Sequence, residues 1–126
     1  MQKTDILNRL DALGLDKHQY WVITGSAMVL YSIREQTHDI DLGCTAALAD
    51  RLEKHGVPVI RQPDGGRKFT IGEDVELFEN WLYDTVQFID GIPVIPLKSL
   101  IEMKQRLGRE KDRRDIRLIA VFLAKK

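Results

Sequence analysis

The chain lacks a second cysteine, a net charge and any long apolar run, and each absence removes a class of answers. Cys44 stands alone, so no intrachain disulfide can form. Nineteen Lys and Arg balance nineteen Asp and Glu, for a formal net charge of zero. No overall positive field draws the chain to nucleic acid or an anionic membrane, and any polyanion site has to be local. No apolar stretch approaches the roughly 20 residues of a membrane-spanning helix. The first residues, MQKTDILNRLDALGLDKHQ, are charged where a signal peptide would be unbroken and apolar. A cytoplasmic address with no membrane partner is the expectation. No repeat, low-complexity tract or linker divides the sequence. At 126 residues and 44% apolar composition the chain supports one buried core and is too short for two ordinary domains, so one domain is expected over residues 1–126.

What is present is a succession of short, well-punctuated elements. Ile6, Leu7, Leu10 and Leu13 recur at helical spacing after Thr4-Asp5, a cap candidate, and Gly14 sits where that helix would stop. Tyr20 to Thr24 is β-rich, and Gly25-Ser26 then opens a segment, AMVLYSI, suited to a buried helix. Asp39-Ile40-Asp41-Leu42 alternates with period two, and Thr45 to His55 returns to helical spacing before Gly56. Val57 to Arg61 and Arg67 to Ile71 flank Gln62-Pro63-Asp64-Gly65-Gly66, which has the residues of a hairpin turn. Val75 to Phe78 is a further strand. Val86 to Ile89 and Ile92 to Ile95 surround Asp90-Gly91, a two-residue hairpin signal, and Pro96 stops the second of them. The remainder reads as two helices broken near Gly108.

Side chains two apart on a strand point the same way, so Asp39 and Asp41 share one face while Ile40 and Leu42 anchor the other. Two like charges that close repel unless a cation sits between them, and oxygen-only ligands suit Mg²⁺ or Mn²⁺. An isolated D-x-D is more often a solvated strand face that binds nothing. Context shifts the reading. Gly25-Ser26 follows a strand and opens a helix, where free backbone N–H groups favour an anion such as phosphate and Ser26 adds a hydroxyl. The plainer role for Ser26 is a helix cap. Two metals and an attacking hydroxyl need a third carboxylate, and Val-Glu-Leu supplies Glu76, with Glu73, Asp74 and Glu79 as close competitors. Asp90 is explained by its hairpin.

Other residues have plainer explanations. Arg109, Lys111, Arg113, Arg114 and Arg117 interleave with Glu110, Asp112 and Asp115, the pattern of a solvated helix surface with i,i+4 pairs, so nucleic acid is not an expected partner. His38 reads as a loop residue, with no second His or Cys spaced for zinc. Cys44 reads as a small buried hydrophobe, and Trp21, Trp81 and Tyr83 as core or edge packing.

The stretch TGSAMVLYSIREQTHDIDL resembles the signature of the polymerase-β-like nucleotidyltransferase superfamily, in which a Gly-Ser or Gly-Gly helix start precedes an aspartate-x-aspartate strand. PLKSLIEMKQRLGREKDRRDIRLI is similar to the C-terminal helices of small bacterial members, including those of AbiEii-type toxin-antitoxin systems. The resemblance runs over roughly residues 20 to 120. It implies an α+β nucleotidyltransferase fold, a mixed β-sheet flanked by helices with two C-terminal helices. It further implies that Gly25 and Ser26 contact the phosphates of a nucleoside triphosphate and that Asp39, Asp41 and Glu76 hold Mg²⁺. Lys104, with Lys98 and Lys111, would lie near the phosphates or brace the site. The implied reaction is transfer of a nucleoside monophosphate to an acceptor hydroxyl or phosphate, releasing pyrophosphate. Two features depart from the pattern: the third acid is Glu where Asp is usual, and no appended domain binds an acceptor. A protein partner, a homodimer or a small molecule would fill that gap. The rival expectation is a nucleotidyltransferase-fold partner protein of a two-component system that has lost turnover. A nuclease would need a lysine soon after the second acid, where Leu77, Phe78 and Glu79 follow Glu76.

Overall fold

The structure is a computed structural model that describes residues 1–80 and 85–125; Trp81 and Tyr83 lie outside the described residues. In chain order the elements are α1 (Lys3–Leu13), β1 (Tyr20–Ile23), α2 (Thr24–Leu30), β2 (Ile40–Cys44), α3 (Ala46–Lys54), β3 (Val59–Arg61), β4 (Arg67–Ile71), β5 (Val75–Glu79), β6 (Gln87–Ile89), β7 (Ile92–Val94), α4 (Leu97–Leu107) and α5 (Glu110–Ala124). The strands form one mixed sheet in the order β3-β4-β5-β2-β1-β7-β6, with β1 antiparallel to β2, and β2 and β5 parallel. Flanked by helices and closed by two C-terminal ones, it is the expected α+β architecture. Among the described residues no helix is long and apolar enough to cross a membrane.

Composition explains which strands are central. All four residues of β1, Tyr-Trp-Val-Ile, are buried, as a strand covered on both faces requires. In the parallel pair β2/β5, Ile40 lies opposite Val75 and Leu42 opposite Leu77, all four fully buried. Alternation therefore turns the intervening pair, Asp41 and Glu76, to the other face. The core continues through Ile6, Met28, Phe69, Leu100 and Ile119, and burying such a side chain contributes roughly 1.5–3 kcal/mol. Gly43 admits no side chain: a Cβ there would meet Trp21 Nε1 at 2.1 Å, because the indole lies across its cross-strand partner.

Several boundaries differ from the sequence reading. The α1 cap lies at Gln2, whose amide donates to Asp5 Oδ2 at 2.8 Å, two residues before Thr4. Thr24 starts α2 and does not extend β1; its φ of +57° is a left-handed turn that breaks the strand. α2 stops at Leu30, leaving Tyr31 to Ile33 outside it. Asp39 precedes β2, and β2 runs on to include Cys44, buried as expected.

Candidate functional site

Three carboxylates meet where β2 and β5 run side by side. Asp41 and Glu76 are direct register partners, and Asp39 approaches from the residue pair ahead of Asp41. One oxygen from each lies within 4.8 Å of the others, a group able to hold a metal ion. Non-local pairing makes this possible: strands 35 residues apart in sequence bring one acid each to the same level of the sheet.

Thr24 completes the aspartate side. Its Oγ1 donates to Asp41 Oδ2 at 2.7 Å from the β1–α2 junction, where Ile23 pairs with Asp41. A β-branched residue at positive φ stores strain of roughly 1–3 kcal/mol, which the packed junction sustains. Burial pushes the Asp41 carboxyl above the ordinary carboxylate range; the Thr24 hydrogen bond opposes this, and the nearby Asp39 and Glu76 charges reinforce it. On the other side Lys68, from β4, places Nζ 2.8 Å from Glu76 Oε2.

Asp39 and Asp41 line a cleft of about 360 Å³, together with Gly25, Arg34, Phe78, Lys104 and Lys111, and Glu76 stands beside them on β5. That volume falls in the range of roughly 300–1,000 Å³ usual for small-molecule sites. A Cβ on Gly25 would meet Arg34 Nη1 at 2.8 Å and Thr37 Oγ1 at 3.0 Å, so glycine keeps the cleft floor open beneath these groups. Ser26 turns its hydroxyl into the fold. It is 1% exposed, donates Oγ to the Ile23 carbonyl at 2.9 Å and accepts the Asp41 amide at 3.2 Å, and so ties α2 to both strands.

The opposite wall comes from α4 and α5. Lys104 is 4% exposed, with Nζ 2.9 Å from Asp115 and 3.9 Å from Asp112. Asp115 also accepts from Arg34, and Asp112 from the Arg109 guanidinium at 2.7 Å. Lys104 thus braces the wall, its ammonium already engaged, while Lys111 is exposed on the cleft rim and Lys98 is exposed outside it. This corrects the reading of the charged C-terminal stretch. Its arginines 113, 114 and 117 are exposed as expected, but Asp112 and Asp115 are buried, because they continue the inward face that Ile119 occupies one turn later. The Arg109 guanidinium holds Asp112 below the usual carboxylate range.

Sequence reasoning missed Thr24, Arg34 and Lys68. A threonine directly before Gly-Ser was a usable signal for the first. Arg34 lies in a polar stretch without periodicity, and Lys68 reaches the site only through strand pairing.

No known family model matches the chain, and no curated protein is detectably similar in sequence. Similarity appears in the fold. A solved structure from Thermotoga maritima, provisionally described as a nucleotidyltransferase, matches with a TM-score of 0.64 at 19% sequence identity, covering 100% of this chain and 97% of its own. The architecture is therefore nucleotidyltransferase-like.

Proposed function

We propose that the chain, as one domain over residues 1–126, is a metal-dependent nucleotidyltransferase that moves a nucleoside monophosphate from a nucleoside triphosphate to an acceptor hydroxyl or phosphate. The observation carrying this reading is the convergence of Asp39, Asp41 and Glu76, the two aspartates lining a cleft, in a nucleotidyltransferase-like fold. The donor set fits the ion: three carboxylates and no nitrogen or sulfur ligand suit a hard divalent cation, Mg²⁺ or Mn²⁺. When bound, such an ion neutralises charge on phosphate oxygens and lowers the pKa of a coordinated hydroxyl.

The chain's own residues would divide the remaining work. Asp39, Asp41 and Glu76 hold the ion, and Thr24 fixes the orientation of Asp41. Gly25 keeps the floor clear for a phosphate, Ser26 holds that floor to the carboxylate strand, and Lys104 braces the facing wall. The acceptor oxygen forms a bond to the α-phosphorus as the bond to the β-phosphate oxygen breaks. Pyrophosphate leaves, and the acceptor proton passes to a carboxylate or to solvent. A cytoplasmic, AbiEii-like two-component system, with a protein partner or a second copy of the chain completing the acceptor side, is the biological setting we favour.

Calorimetric titration with each nucleoside triphosphate, with and without Mg²⁺, tests the reading, followed by assay of pyrophosphate release. Mg²⁺-dependent binding that disappears in Asp41→Asn is expected. Absence of binding by all four nucleotides would overturn it. A second reading, a partner protein of the same fold without turnover, draws support from Leu118 and Val121, neighbours at i,i+3 on α5 that are exposed at 45% and 53%. Nucleotide binding without pyrophosphate release in the presence of a cognate partner would select it.

A further inference from the structure

β4 brings a cation into the carboxylate cluster that the proposed chemistry does not use. In the antiparallel β4/β5 pair Thr70 lies opposite Glu76 and Lys68 opposite Phe78, so Lys68 is the diagonal neighbour of Glu76 on the same face. Its ammonium reaches back to 2.8 Å from Glu76 Oε2 and at the same time stands 5.6 Å from the centroid of the Phe78 ring. We propose that Lys68 is the resident counter-ion of the cluster: it occupies Glu76 while no divalent ion is bound and must yield Glu76 before all three carboxylates can ligate one. This rests on the reading of Asp39, Asp41 and Glu76 as metal ligands.

Three observations carry it. First, the charges fit: the cluster gathers three carboxylates, and among the described residues Lys68 is the one cation within salt-bridge distance of any of them. Second, the pair can be displaced. Its side chains are 28% and 31% exposed, so water and salt screen it, and a divalent ion bound by several carboxylates competes with a single partly solvated ammonium. Third, the lysine has somewhere to go. Its ammonium already stands over the Phe78 ring, which attracts a cation, so a rotation of the four-carbon stem that keeps this contact frees Glu76 without stranding the charge. The consequence is a threshold on metal loading. The nucleotide-free cluster binds its ion less tightly than three bare carboxylates would, and Glu76 joins last.

Mn²⁺ titration of the full chain, with free Mn²⁺ read by electron paramagnetic resonance, tests this without reference to activity. Lys68→Met is expected to tighten Mn²⁺ binding by about three- to ten-fold, with Lys68→Gln doing likewise and Lys68→Arg staying near wild type. Adding Glu76→Gln to Lys68→Met should remove the gain, since the competition is for that carboxylate. Mn²⁺ binding in Lys68→Met and Lys68→Gln equal to or weaker than wild type, with unchanged circular dichroism, would overturn the proposal and leave Lys68 a cross-strand brace. If wild type binds no Mn²⁺ but Lys68→Met does, the proposal holds in its strongest form. If neither binds, the metal reading itself fails and takes this inference with it.

Discussion

The two walls of the cleft handle charge in opposite ways. On the sheet side Asp39, Asp41 and Glu76 crowd three negative charges together, opposed by one threonine hydroxyl and one partly exposed lysine. On the helical side Lys104, Asp112 and Asp115 are buried more deeply, yet every one of them is paired within the wall or with Arg34 and Arg109. Burial alone therefore does not separate the two walls. Neutralisation does: the charges of the helical wall are paired, whereas the sheet side gathers three carboxylates against one lysine and could hold a metal ion.

That contrast can be broken most forcefully at Lys104. Removing it strips the buried Asp115 carboxylate of its ammonium partner, leaves the two acids with Arg34 and Arg109 alone and opens a cavity where the stem was packed, so Lys104→Ala should destabilise the fold by about 3 kcal/mol in urea unfolding. Lys104→Met combined with Asp115→Asn should recover much of that loss, because both buried charges disappear together. Asp41→Asn, in contrast, should leave metal-free stability unchanged or raised. A Lys104→Ala variant as stable as wild type would mean that the helical wall is not the completed network described here.

The next effect in size belongs to the sheet side. A ligand that binds only the folded chain stabilises it by about 2.7 kcal/mol at 100 times its dissociation constant. Mg²⁺ or Mn²⁺ at that excess should therefore raise the thermal midpoint of wild type, and EDTA should reverse the rise. Asp41→Asn should lose the response, and Lys104→Met/Asp115→Asn should keep it. A shift of equal size in Asp41→Asn would place the ion elsewhere.

The same division governed what the sequence made legible. Elements set by local chemistry were readable: the Asp90-Gly91 hairpin, the Gly108 break, and the alternation that presents Asp41 and Glu76 opposite buried neighbours. Whether those two acids meet depended on β2 choosing β5 as a parallel neighbour, a pairing that no local pattern specifies, although the need for a third carboxylate and the resemblance both pointed to Glu76. Lys68 was invisible for the same reason, being two strands from β2 in the sheet. Asp112 and Asp115 misled because alternating charges look solvated until a second helix supplies a buried lysine. Thr24 misled because β-propensity favours continuing the strand, while its hydrogen bond to Asp41 is tertiary and outweighs that preference.

The smallest expected effect is a difference in pH response between the sheet's acids and those held by arginine. Arg67 bonds Glu79 through two nitrogens and holds its carboxyl below the usual range, as Arg109 does for Asp112. Each such pair contributes stability above the unfolded values of 4.5 and 3.8, and loses it as pH falls through the lower folded value. Asp41 runs the other way. Burial raises its folded pKa above the unfolded 3.8, so its contribution is fully present below 3.8 and is lost as pH rises through the folded value. In EDTA, the stability of Asp41→Asn relative to wild type should therefore be greatest near neutrality and shrink as pH falls toward 4, even as both proteins weaken together through Glu79 and Asp112. Saturating Mg²⁺ should reverse the neutral-pH ranking, since the ion supplies the charge that burial withholds. Urea unfolding at a series of pH values measures both. A difference that stays constant with pH would mean that Asp41 titrates like a solvent-exposed aspartate, and the distinction between a complete wall and an incomplete one would lose its electrostatic basis.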